Sequence, residues 1–156
     1  MLKVLGYAEL IGLFSVLLIA VYQDIKTRKI KNVLTVSGIA AGLVFSLIMP
    51  ERTFWDALLG FLLLQVLGIV LWKLKIFRAG DAKLLCVTGA FLGWKMGLNI
   101  LLISSVCGAV FGIPLVVKRL IKKEKQLTHF PFSTAVLAAT AIAISVGYIW
   151  EVLPGF

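Results

Sequence analysis

The stretch LIGLFSVLLIAV, residues 10–21, stands directly before Tyr22-Gln23-Asp24 and a run of basic residues. Long apolar blocks alternate with charged clusters along the rest of the chain, a pattern typical of proteins whose solvent is lipid. A signal peptide would carry an Ala-x-Ala-like cleavage site after its apolar region, and none follows Val21. We therefore expect a retained first helix in an integral membrane protein.

The composition leads to the same conclusion. Of 156 residues, 61% are hydrophobic, against about 45–50% in soluble domains, and the mean hydropathy is +1.06. A water-soluble core of this size cannot bury so much apolar surface. The net charge of +9 is explained by the placement of basic loops, so no nucleic-acid partner is expected.

The apolar blocks predict an all-α, polytopic membrane helix bundle of about six transmembrane helices, forming a single domain over residues 1–156. A helix of roughly 20 residues crosses a 30 Å hydrocarbon core. A turn is expected at Trp94-Lys95-Met96-Gly97, where an aromatic residue, a charge and a glycine meet. The candidate spans are residues 2–22, 33–49, 54–72, 82–94, 98–117 and 134–153.

Basic residues fix the predicted orientation. Lys and Arg accumulate in cytoplasmic loops, and most of the 16 basic residues follow the first, third or fifth span. These three loops are therefore predicted to be cytoplasmic, with both termini outside. The loop residues are Lys26, Arg28, Lys29 and Lys31, then Lys73, Lys75, Arg78 and Lys83, then Lys118, Arg119, Lys122, Lys123 and Lys125.

Two of the seven acidic residues, Asp24 and Asp81, stand beside these basic clusters at predicted cytoplasmic helix ends. Acidic residues near membrane segments are costly and often functional. Because both lie at the same membrane face, folding can bring them together. The alternative is structural: Asp81, after Gly80, would cap the fourth helix, and Asp24 would balance its basic loop.

Three segments add motif evidence: DIKTRKIKN at residues 24–32, RAGDAKL at 78–84 and HFPF at 129–132. In this order, they resemble the signatures of the type IV prepilin peptidases, which are intramembrane aspartyl proteases of the GxGD type. Lys31 stands where that family usually has proline, and Arg78 stands where it usually has the first glycine. Together the matches cover residues 22–134.

The resemblance implies an endopeptidase that removes the basic leader of type IV pilin-like precursors at the cytoplasmic face of the inner membrane. Its catalytic residues would be Asp24 and Asp81, without metal or cofactor. Two carboxylates about 4 Å apart repel by roughly 4 kcal/mol at an effective dielectric near 20, so one of them holds a proton. The ionised carboxylate would activate water and the protonated carboxyl would polarise the peptide carbonyl.

Supporting or substrate-binding roles are expected for Lys26, Asn32, Gly80 and Lys83. The lysines can equally be ordinary charges of a cytoplasmic loop. The implied partners are prepilin-like membrane proteins and the lipid bilayer. Long family members also carry a cysteine-rich region and methylate the new N-terminus; a short, cleavage-only form is expected here.

Two other functions stay open. Presenilin-like proteases share the Gly-x-Gly-Asp element but have larger bundles. A noncatalytic membrane assembly factor or small transporter would use Asp24 and Asp81 for topology or ion passage.

Other polar residues give weaker signals. Glu9 lies in an apolar span and is expected at a near-surface or packing position, and His129 is expected at the interface rather than as a catalytic base. Cys86 and Cys107 lack CxxC spacing and are expected to be small buried hydrophobes. The spaced glycines, among them Gly89 and Gly97, are expected to allow close helix packing.

Overall fold

In a computed structural model the chain is helical, and residues 2–48, 53–74, 77–122 and 132–152 are described. These ranges contain no strand, so the predicted all-α bundle is confirmed. The helices are α1 (Leu2–Thr27), α2 (Asn32–Ile48), α3 (Phe54–Lys73), α4 (Ala79–Lys122) and α5 (Phe132–Val152).

The helices and the outer surface of the bundle are suited to a lipid bilayer. Three segments are long and apolar enough to cross a membrane, namely Tyr7–Thr27, Phe54–Lys73 and Ala79–Val110. Two shorter apolar helical segments, Asn32–Ile48 and Phe132–Val146, accompany them. Large apolar side chains lie exposed on the outer faces, where lipid rather than water suits them. They include Ile11, Val36, Val66, Leu102 and Ile142.

The fourth and fifth predicted spans lie in one sharply kinked helix, α4, which turns at Gly93 (φ 77°, ψ 179°). A straight helix would separate residues 89 and 97 by about 12 Å. A Cβ built on Gly97 would instead lie 3.3 Å from the Gly89 Cα. The chain therefore folds back on itself, and α4 consists of a first arm (residues 79–92) and a second arm (residues 94–122).

The turn expected at residues 94–97 was misplaced. Those residues are helical, and the reversal occurs one residue earlier, at Gly93. The backbone angles there belong to a region that is open almost only to glycine. A glycine inside an apolar stretch, rather than the polar residues after it, marks the turn.

The first arm of α4 is the centre of the bundle, and α4 contacts each of the other four helices. Its side chains Leu84, Val87 and Phe91 are fully buried and join Leu17 of α1 and Val136 of α5 in one core cluster. Because this arm begins with the segment that carries Asp81, the packing of the whole bundle fixes that aspartate.

Close backbone contacts hold α2 and α3 against this arm, as the glycine spacing predicted. A Cβ on Gly60 of α3 would lie 2.5 Å from the Gly89 carbonyl oxygen, and one on Gly42 of α2 would lie 2.9 Å from the Ala90 carbonyl carbon. Neither site has room for a larger residue without a shift of backbone.

Two predicted helix boundaries need correction near the aspartates. The first span was expected to end at residue 22, whereas α1 continues to Thr27, so Asp24 lies within it. The fourth span was expected from residue 82, whereas α4 begins at Ala79, so Asp81 lies in its first turn. Asp24 is therefore in the last turn of α1 and Asp81 in the first turn of α4, at the helix ends where the sequence placed them.

The other polar residues considered from the sequence are Glu9, the two cysteines and His129. Glu9 is buried, with 4% of its surface exposed, which fits a packing position. Cys86 is buried as a free thiol and donates to Gln65 Oε1 at 3.0 Å, while Cys107 is a half-buried free thiol. His129 lies outside the described residues.

Candidate active site

Asp24 lies in the last turn of α1, which ends at a tight backbone reversal. Arg28 adopts a positive φ of 54°, and its N–H donates to the Asp24 carbonyl oxygen at 2.9 Å. The N–H of Lys31 donates to Gln23 Oε1 at 3.0 Å. The loop between α1 and α2 is thereby folded back over the end of α1, and this fixes the position of Asp24.

Asp81 is held at the beginning of α4. Its side chain is buried, with 5% exposed, and its Oδ2 accepts a hydrogen bond from the Arg78 backbone N–H at 3.1 Å. A side chain in the first turn that reaches back to the residue before the helix is half of a capping box. The capping role considered from the sequence is therefore present, and it orients the carboxyl.

The α1–α2 loop packs on α4 beside Gly80, at ordinary van der Waals distance. A Cβ on Gly80 would lie 3.4 Å from Cδ1 of Ile30, a loop residue that is itself buried. This contact brings the end of α1 and the start of α4 together.

Asp24 and Asp81 line the same cavity, which has a volume of about 340 Å³. They are near enough for their charges to interact. Four cationic side chains stand around these two carboxyls, so the wall of the cavity is positive overall. The other lining residues are Arg28, Lys29, Ile30, Asn32, Arg78, Ala79, Gly80 and Lys83.

Three of the four predicted supporting residues lie at this cavity. Lys83 Nζ donates to Asn32 Oδ1 at 2.6 Å, which links α4 to the first residue of α2, and Gly80 also lines the cavity. Lys26 lies elsewhere. Its ammonium is 3.2 Å from the Tyr22 hydroxyl and 5.5 Å from the centre of that ring, on an exposed face of α1.

One contact of Asp24 was not predicted from the sequence. Ser133, in the first turn of α5, is fully buried and donates from Oγ to Asp24 Oδ2 at 2.7 Å. It directly follows the HFPF segment, but a serine at a helix start ordinarily indicates a cap. Arg28 and Lys29 were assigned to topology alone, although both line the cavity.

Comparison with known proteins identifies the family of this chain. Residues 11–113 match the type IV leader peptidase family, a range that contains both aspartates and most of the chain. The chain belongs to this family. The resemblance seen in the three sequence motifs is thereby confirmed at the level of the family.

Individual proteins with similar sequences support the same family. A prepilin leader peptidase/N-methyltransferase of Aeromonas salmonicida (strain A449) is 32% identical over 139 residues, covering 85% of this chain and 47% of that protein. One of Burkholderia pseudomallei (strain 1026b) is 32% identical over 136 residues, covering 83% and 44%. One of Myxococcus xanthus (strain DK1622) is 38% identical over 87 residues, covering 51% and 26%.

The match covers only part of the length of each relative. This chain spans about half the length of the Aeromonas and Burkholderia proteins. No solved structure matches it significantly.

Proposed function

We propose that this chain is a membrane aspartyl endopeptidase that removes the basic leader of type IV pilin-like precursors, with Asp24 and Asp81 as its catalytic pair. One observation carries the proposal: two aspartates far apart in sequence line a single cavity in a member of the type IV leader peptidase family. Two carboxyls that share a site can provide a general base and a general acid together.

In the proposed reaction, the ionised carboxylate takes a proton from water as the water oxygen bonds to the scissile carbonyl carbon. The protonated carboxyl gives its proton to the carbonyl oxygen, which yields a tetrahedral diol. As the carbon–nitrogen bond breaks, the proton taken from water passes to the leaving nitrogen. A diol proton returns to the second carboxylate, so the pair ends as it began.

The cationic residues support a cytoplasmic placement of the cavity, because Arg28, Lys29, Arg78 and Lys83 belong to loops or helix ends of the positive-inside type. The same charges oppose the entry of a basic leader. We expect the charged part of the leader to lie outside the cavity, near lipid headgroups, with the scissile bond alone reaching the carboxyls.

A noncatalytic assembly factor is the second candidate, and the Arg78–Asp81 hydrogen bond favours it. A capping aspartate would be retained for structure alone. The two candidates predict different effects when a carboxyl is replaced by asparagine. A helix cap would be kept, because asparagine still accepts a hydrogen bond through its amide oxygen. Acid–base catalysis would be lost.

The test is co-expression with pilin-like precursors in a host that lacks its own leader peptidase, followed by mass analysis of the precursor N-terminus. The unmodified chain should shorten a precursor just before its apolar segment. Asp24→Asn and Asp81→Asn should each lower cleavage by about 10²–10⁴-fold, the usual contribution of a positioned acid or base. Their amounts in the membrane should match that of the unmodified chain.

Asp56→Asn is the matched control. Asp56 lies beside Gly93, and the first arm of α4 separates Gly93 from Asp81 by about 18 Å. This variant should retain cleavage. Wild-type rates in both the Asp24 and Asp81 variants would rule out the protease and leave the assembly factor.

A further inference from the structure

Ser133 differs from the other buried hydroxyls described in the bundle. Thr88, Ser104 and Thr140 are also fully buried, and each donates to a carbonyl one turn earlier in its own helix, at 2.8–3.0 Å. Ser133 is the second residue of α5. Its hydroxyl donates instead to Asp24 Oδ2, across 109 positions of sequence.

Phe132, the residue before Ser133, connects the start of α5 to the segment that carries Asp81. The ring of Phe132 packs on Phe77 with a centroid distance of 4.7 Å, and Phe77 is buried one residue before Arg78. Phe132 also closes on Gly108 in the second arm of α4, where a Cβ would lie 2.6 Å from its ring. The start of α5 is thus anchored on α4 while Ser133 reaches α1.

We infer that Ser133 is a positioning residue for Asp24, so that α5 completes a site whose two carboxyls come from α1 and α4. The inference rests on the proposed function. A carboxylate at the end of a helix can rotate about its side-chain bonds, and a donor on one oxygen restricts that rotation. With Oδ2 held by Ser133, the carboxylate keeps one orientation toward the cavity that it shares with Asp81.

This role does not require Ser133 to touch the substrate. Because a small misplacement of a reacting group can lower a rate by up to about 100-fold, the loss of this hydrogen bond should appear mainly in kcat. Binding of the precursor depends on the cavity wall and on lipid-facing contacts, so KM should change little.

The experiment measures leader cleavage by the purified full-length chain in lipid nanodiscs. Ser133→Ala should lower kcat by roughly 10- to 100-fold with KM within about 2-fold, and Ser133→Thr, which keeps the hydroxyl, should restore most of the rate. Thr140→Ala is the matched control, since it removes a buried hydroxyl of the same helix that bonds only its own backbone. It should stay within about 2-fold of wild type.

A thermal double-mutant cycle with Asp24→Ala provides a readout that does not depend on cleavage. Ser133→Ala should lower the melting temperature in the wild-type background and have little effect once Asp24 is alanine. Thr140→Ala should have the same effect in both backgrounds. If the wild-type chain cleaves no precursor, the proposed function fails, and the cycle still decides whether Ser133 and Asp24 are coupled.

Two results would overturn the inference. The first is a Ser133→Ala variant that cleaves as fast as a competent wild-type chain. The second is additive melting shifts for Ser133→Ala and Asp24→Ala, because independent sites add.

Discussion

Replacing Gly60 with alanine is expected to destabilise the bundle and to impair the candidate site. Gly60 lies on α3 where that helix meets the reversal of α4. The new Cβ would lie 2.5 Å from the Gly89 carbonyl oxygen, 2.6 Å from the Gly93 carbonyl carbon and 2.7 Å from the Trp94 nitrogen. All three atoms are backbone, so no side chain can rotate away, and α3 and α4 must separate by about 1 Å to reach ordinary contact distance.

The magnitude follows from two opposing effects. Overpacking of a well-packed site costs about 3 kcal/mol at the upper end of its usual range. The higher helix propensity of alanine returns about 1 kcal/mol. The net loss is about 2 kcal/mol, and for a chain of this size each kcal/mol corresponds to roughly 2–4 °C in Tm. We therefore expect Tm to fall by about 4–8 °C.

Gly12→Ala is the matched control, because it is the same change at another helical glycine. A Cβ there would meet Phe45 at 3.5 Å and Phe91 at 3.6 Å, both ordinary contacts. Only the propensity gain remains, so this variant should melt at or slightly above the wild-type temperature.

The assay is thermal unfolding of the full chain in one detergent, with precursor cleavage measured alongside. Cleavage by Gly60→Ala should also fall, since displacement of the first arm of α4 moves Asp81. A Gly60→Ala variant that melts at the wild-type temperature, or above Gly12→Ala, would refute the close backbone packing inferred at this site.

Two further predictions concern orientation and the rim of the cavity. Reporter fusions after residues 31 and 78 should both read cytoplasmic, because basic loops stay inside; a periplasmic signal at 78 would contradict a site at one membrane face. Asn32→Ala and Lys83→Ala should each lower stability by less than about 1 kcal/mol, as expected for a polar pair near solvent. The double variant should be no less stable than the worse single one, and additive losses would show that the two side chains are not coupled.

The helical class could be predicted from hydropathy, but the helix ends and the joining of the fourth and fifth predicted spans into one kinked helix could not. Hydropathy reports contact with lipid, and it falls at Tyr22, whereas α1 continues through polar residues to Thr27. The α4 reversal was misplaced for a related reason. Trp94 and Lys95 carry the chemistry of an interface, but the reversal needs a backbone geometry that only Gly93 supplies.

The residues of the candidate site that belong to short sequence motifs could be predicted. Asp24, Asn32, Gly80, Asp81 and Lys83 all belong to two contiguous motifs, and all five line the cavity. Lys26 shows the limit of spacing alone. It is two residues from Asp24, and on a helix such neighbours point to different sides.

Ser133 was not predictable, because its contact with Asp24 depends on how α5 docks on α1 and α4. That docking is set by Phe132 on Phe77 and Gly108, three residues from distant parts of the chain. No local pattern in the sequence links them, so only the folded arrangement reveals the contact.

The most direct test of the account is cross-linking of Asp24→Cys with Asp81→Cys in membranes, in a chain whose Cys86 and Cys107 are replaced by serine. Both side chains line one cavity, so short thiol reagents should join them. Asn32→Cys with Lys83→Cys is the reference pair, since their side chains are hydrogen-bonded. Efficient cross-linking of both pairs is the predicted result. Cross-linking of the reference pair without any between positions 24 and 81, even with reagents spanning about 10 Å, would contradict the shared site.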